Sequence, residues 1–213
     1  PDGYTLEQYA ADVVGMLDHL GLAKVSFAGH SMGGGIGYLL ALNHKERLER
    51  LILMAPIPAE GVGEITPELR EQRMAERRRG DRDAILARYR AMQFREDVET
   101  EEWFIDRAEH ILSVSDGHFE RGAESMRDLD VAHRLPEITT PTLMIAGAVD
   151  SLLEANLKDF MSLPNATLEV LSRAGHAVAV HEPDRVAAVI DSFMQYGPVT
   201  AATLMARLAA AQE

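Results

Sequence analysis

The stretch Val25-Ser26-Phe27-Ala28-Gly29-His30-Ser31-Met32-Gly33-Gly34-Gly35 decides how the rest of the chain is read. Val25 to Ala28 is a short buried-strand pattern, and it runs without a break into Gly29-His30-Ser31-Met32-Gly33. This is a G-x-S-x-G pattern, set after a strand and before a helix expected from Ile36 to about His44. In that context it puts a serine on a sharp, strained turn with its hydroxyl exposed at the end of a sheet. Gly29 and Gly33 are read as required there, because the turn leaves no room for side chains on either side. His30 is expected to pack beneath the turn. The helix behind it aims its first amides at negative charge developing beside Ser31, and the Met32 amide is the expected oxyanion donor.

Working outward, TLEQYAADVVGMLDHL (residues 5–20) has its apolar residues at helical spacing, with Thr5 as N-cap and Gly21 beyond the last turn. Arg50 to Ala55 reads as the next strand, closed by Pro56 and Pro58. From Glu60 to Leu135 the chain is dense in Arg, Glu and Asp and reads as four helices, with joints near Gly80, Asp97, Gly117 and Asp130. After Pro136 the alternation returns: strand Pro141 to Gly147, helix Ser151 to Leu163, strand Ala166 to Leu171, helix Glu182 to Tyr196, and an Ala-rich helix from Val199 to Gln212. Short apolar strands alternating with helices predict an α/β fold, a mostly parallel sheet covered by helices on both faces. Residues 1–59 and 136–213 would form this core and 60–135 an inserted helical cap.

A serine hydroxyl is a weak nucleophile until a base takes its proton, and the base needs a partner to fix its tautomer. Asp150 lies in the turn after the strand ending at Gly147. His176 follows the strand ending at Leu171. Both fall at the carboxyl edge of the sheet, where active sites of such folds gather. Glu60 is the reserve acid. Among the other histidines, His19 and His44 sit near helix ends, His110 and His118 in the cap, His133 in a connector, and His181 at the start of the last core helix. No two show the i, i+4 spacing with a carboxylate that zinc needs, so neither metal nor cofactor is expected. Met54, Met74, Met92, Met126 and Met161 are read as core. Trp103, the sole tryptophan, is the candidate substrate contact in the cap.

The 213 residues carry 21 basic and 34 acidic side chains, a net charge of −13, which argues against nucleic acid as a partner. The basic run Arg77 to Arg79 is read as a solvated helix face. Zero cysteines exclude thiol nucleophiles and thiolate metal sites. Neither an apolar run of membrane-spanning length nor a signal peptide is visible, so no membrane partner and, by default, a cytoplasmic location are expected. The expected partner is a small-molecule substrate, and a homo-oligomer is left open.

Gly29-His30-Ser31-Met32-Gly33-Gly34, the Gly147 to Asp150 turn, and Gly175-His176 followed by His181-Glu182-Pro183 resemble the α/β-hydrolase superfamily. The likeness is greatest to its cap-bearing serine esterases, enol-lactonases and C–C hydrolases. The resemblance implies Ser31 as nucleophile, His176 as base and then acid, and Asp150 as the orienting carboxylate. Epoxide hydrolases and haloalkane dehalogenases of this fold carry Asp where this chain has Ser31. The resemblance also implies further strands ahead of residue 5 and an H-G loop giving a second oxyanion amide, so the sequence is expected to be part of a longer protein. The expected activity is hydrolysis of a carboxylic ester or lactone of a small, largely apolar substrate through an acyl-enzyme. Alternatives on the same three residues are C–C hydrolysis, perhydrolase or lyase chemistry, or a ligand-binding protein with a residual triad.

Overall fold

Four apolar strands, β1 Val25–His30, β2 Leu48–Met54, β3 Thr142–Gly147 and β4 Ala166–Leu171, lie side by side in that order, all parallel, in the computed structural model, which describes residues 3–210. Gly63–Ala123 forms one compact unit and the described residues on either side of it form the other.

In the sheet unit, strand residues alternate between two cores, as the period of two requires. Leu51, Leu53 and Met144 face one cluster with Leu6, Tyr38 and Leu40. Ile52, Leu143 and Ile145 face the other with Val178, Val186 and Phe193. The first face is therefore covered by α1 Leu6–His19 and α2 Met32–Asn43, with α7 Leu153–Ser162 joining through Phe160. The second is covered by α8 Val178–His181 and α9 Pro183–Tyr196. Each large side chain so buried contributes about 1.5–3 kcal/mol. Thr5 caps α1 as expected, its Oγ1 accepting from the Gln8 amide at 3.1 Å, a contribution of about 1 kcal/mol. Gly21, at φ +67°, ends it.

The α2 helix starts at Met32, four residues ahead of the expected Ile36, although three glycines occupy its first turn. The Ser31 carbonyl accepts from the amides of Gly34 (2.8 Å) and Gly35 (3.3 Å), which closes the turn despite their low helix propensity. Residues 34–41 are buried throughout, so tertiary packing overrides propensity.

The helical unit holds α3 Pro67–Arg78, α4 Arg82–Arg90 and α5 Glu101–Ser113, while α6 Asp116–Asp128 carries its boundary. Its core is Ile85, Leu86, Phe104 and Ala108, with Trp103 and Tyr89 packed against them. The unit is narrower than 60–135, because Leu129, Val131 and Leu135 belong to the core of the sheet unit. Gly117 lies inside α6 and not at a joint. Arg77 is not solvated: 8% exposed, it donates to the Ile111 and Val114 carbonyls and satisfies the carboxyl end of α5. Met54, Met74 and Met126 pack as core, but Met92 and Met161 are 61% and 81% exposed. The final helix, α10 Ala201–Ala210, falls within the expected Val199 to Gln212, of which Ala211 and Gln212 lie outside the described residues. No helix is long and apolar enough to cross a membrane among the described residues.

Candidate active site

The strand register brings the chemistry to one edge. His30 pairs with Met54, Met54 with Ile145, and Gly147 with Leu171, so the carboxyl ends of all four strands lie together. Ser31 follows β1 directly at φ 54°, ψ −115°, a conformation sparsely populated for any residue but glycine and storing about 1–3 kcal/mol. Its backbone is held on both sides: the amide donates to the Met54 carbonyl (3.0 Å), and the carbonyl also accepts from Ile57 (3.1 Å).

The glycine requirement is not the one expected from the motif. A Cβ on Gly29 would lie 2.1 Å from the Gly33 carbonyl oxygen, so Gly29 is obligatory. A Cβ on Gly33 would meet nothing within 4 Å. The second tight position is Gly34, where a Cβ would lie 2.5 Å from the Cβ of Pro56. Sequence reading missed it because the constraint comes from the far end of β2.

Ser31, His176 and Asp150 are brought together. The Ser31 Oγ is 2.8 Å from His176 Nε2, and His176 Nδ1 is 2.9 Å from Asp150 Oδ2. Asp150 Oδ1 accepts from the Leu152 amide at 3.1 Å. Burial works to raise the Asp150 pKa, yet the hydrogen bonds from His176 and Leu152 outweigh it and hold the carboxyl below its ordinary value. Asp150 is therefore an ionised acceptor near neutral pH. The proton between the two sits on His176 Nδ1, which leaves Nε2 to accept from the Ser31 hydroxyl. The Asp150 side chain is 3% exposed and the His176 side chain 38%, so the carboxylate is sealed and the imidazole is not.

Gly147 makes this convergence possible. A Cβ there would lie 2.3 Å from the Gly175 carbonyl oxygen and 2.5 Å from that of Ala174, so the end of β3 touches the backbone of the loop carrying His176. Val149 donates to the Ala174 carbonyl and Ala148 to Leu171, fastening the two loops. His30 Nε2 lies 2.7 Å from the His176 carbonyl, which can only accept, so His30 donates to it. His30 thus grips the neighbouring loop, its ring centroid 4.9 Å from that of His176.

The Met32 amide is a first-turn N–H of α2, a position with no acceptor inside its own helix. Glu60 does not join the site: its half-exposed carboxylate pairs with Lys158. His181 ends α8 and does not begin α9. His133 lies 3.9 Å from Asp130, and His110 and His118 belong to α5 and α6. Trp103 packs edge-on to Phe104, ring centroids 5.2 Å apart, in the core of the helical unit. No group of three side chains suited to hold a metal occurs among the described residues.

Residues 1–183 match the model of the α/β hydrolase fold family, and the chain belongs to that family. It is 28% identical to a 2-hydroxy-6-oxononadienedioate/2-hydroxy-6-oxononatrienedioate hydrolase of Dechloromonas aromatica, a match covering 91% of this chain and 70% of the relative. An enol-lactonase structure from Burkholderia xenovorans LB400 superposes with a TM-score of 0.75 at 26% identity, covering 92% of this chain and 75% of that one. A thermophilic esterase from Thermogutta terrifontis gives 0.74 at 26% identity, covering 92% and 74%.

Proposed function

We propose that this protein is a serine hydrolase that cleaves a carboxylic ester or lactone of a small, largely apolar substrate through an acyl-enzyme. The observation that carries the reading is the hydrogen-bonded line from Ser31 Oγ through His176 to the sealed Asp150 carboxylate. Ser31 Oγ attacks the carbonyl carbon while His176 Nε2 takes the hydroxyl proton. Asp150 stabilises the imidazolium, and the Met32 amide donates to the oxyanion. Collapse of the tetrahedral intermediate breaks the acyl–oxygen bond, and His176 returns its proton to the leaving alcohol. Water then gives a proton to His176, attacks the acyl carbon, and releases the acid with Ser31 reprotonated. Trp103 is proposed as a substrate contact, tested by its emission on adding ester.

A second reading, hydrolysis of a C–C bond next to a ketone by the same residues, is favoured by the relative from Dechloromonas aromatica. A panel of aryl esters, lactones and vinylogous diketones assayed with wild type and Ser31→Ala separates the readings. Ester or lactone turnover that vanishes in Ser31→Ala is the expected result. Turnover of the diketones alone would replace it with the second reading. Ester turnover unchanged in Ser31→Ala would overturn both.

A further inference from the structure

His181 has no part in the steps above, yet it is 3% exposed and its Nδ1 accepts a hydrogen bond from the buried Gly175 amide at 2.9 Å. A ring nitrogen that accepts carries no proton, so His181 is held with Nδ1 bare. His30 grips the other side of the same dipeptide through the His176 carbonyl. The two residues that precede and bear the imidazole are thus clamped at one N–H by His181 and at one carbonyl by His30. We propose that His181 is a positioning residue, which fixes the backbone of His176 so that Nε2 meets Ser31 while Nδ1 meets Asp150. This inference rests on the serine-hydrolase reading for its kinetic consequence only.

The physical need is local. The Gly175 backbone lies so close to the end of β3 that a Cβ on Gly147 would fall 2.3 Å from the Gly175 oxygen. Glycine has the widest choice of φ and ψ, so the link just before His176 is the most easily turned in the loop. A side-chain acceptor on the Gly175 amide removes that freedom. Without it a buried donor loses its partner, and the chain can relieve the loss by rotating, which carries the imidazole with it. A displacement of about 1 Å at a reacting group costs ~10²-fold in rate. An apolar side chain at 181 would fill the same space among its buried neighbours and offer no such restraint.

The test uses His181→Phe, which keeps a ring but removes the acceptor, and His181→Asn, whose carbonyl oxygen can stand where Nδ1 stood. Hydrolysis of p-nitrophenyl acetate is followed with the low-field proton resonance of His176 Nδ1–H. In His181→Phe, kcat should fall ~10- to 10²-fold with KM within about twofold, and the resonance should broaden or shift. His181→Asn should recover most of both. Wild-type kcat and an unmoved resonance in His181→Phe would overturn the proposal, as would an Asn variant as impaired as the Phe variant. If wild type does not hydrolyse the ester, the serine-hydrolase reading fails while the resonance still decides the role of His181. A nitrogen-15 spectrum of the wild-type histidines covers poor folding of the variants. An unprotonated His181 Nδ1 beside a slowly exchanging Gly175 amide is expected, and a protonated Nδ1 would overturn the proposal.

Discussion

Asp150 combines a side chain 3% exposed with two hydrogen-bond donors, and its pH behaviour follows from which influence prevails. Because its folded pKa is lowered, its contribution to stability is fully present above the unfolded value of ~3.9 and is lost as pH falls through the folded value. The difference in melting temperature between wild type and Asp150→Asn should therefore be full at neutral pH and close below about pH 4. The same substitution offers His176 a donor in place of an acceptor, so kcat should drop ~10⁴-fold through the wrong tautomer. At the turn, Gly29→Ala forces a Cβ onto the Gly33 carbonyl and should abolish activity, whereas Gly33→Ala has open space. Gly33→Ala should leave activity intact and shift stability by no more than about 1 kcal/mol, read by urea titration.

Elements are held in place by contacts of few atoms. The end of β3 meets the loop after β4 backbone to backbone, so Gly147→Ala should separate them. A loss of about 1–3 kcal/mol is expected from overpacking, with a larger proportional loss of ester turnover because His176 moves with that loop. On α7, Asp159 accepts from the Ala59 amide (2.9 Å) and the Tyr38 hydroxyl (3.2 Å), tying the chain leaving β2 to the helix that follows β3. Burial raises the Asp159 pKa despite those bonds. Ionisation therefore costs stability above the folded value, a cost relieved as pH falls through it. Asp159→Asn keeps one carbonyl acceptor, and its stability relative to wild type should decline as pH falls towards the ordinary carboxylate range. Asp159→Leu leaves both donors unpaired and should cost about 1–3 kcal/mol in urea titrations.

For the whole molecule, the consequential fact is that its two units have cores of unequal size. The helical unit closes around a cluster of four buried apolar side chains, and the sheet unit around two larger clusters. Small units bury a smaller share of their surface and are marginal. Trp103, in the small core, should lose its native emission at lower urea than the far-ultraviolet circular dichroism, to which both units contribute. Coincident transitions would mean that the helical unit takes its stability from the remainder of the chain.

The sequence by itself determined the elements and their order. Alternating apolar strands and amphipathic helices, the caps at Thr5 and Gly21, and the Gly29 to Gly33 turn are dictated by residues within a few positions of one another, whose steric preferences set φ and ψ locally. It also placed Ser31, Asp150 and His176 at strand ends, since a parallel sheet leaves only one edge for those loops. The tertiary structure alone decided what depends on segments meeting from far apart. Ser31 and His176 are 145 residues apart, and His176 and Asp150 are 26 apart. Their contact requires Gly147 to accept the backbone of Gly175, Gly34 to accept Pro56, and His181 to receive an amide that no periodicity marks. Gly33, tolerant where the motif reads as strict, and Arg77, buried where the charge run reads as solvated, share one reason. Burial and clearance belong to the neighbour across space, and a linear pattern records only the neighbour along the chain.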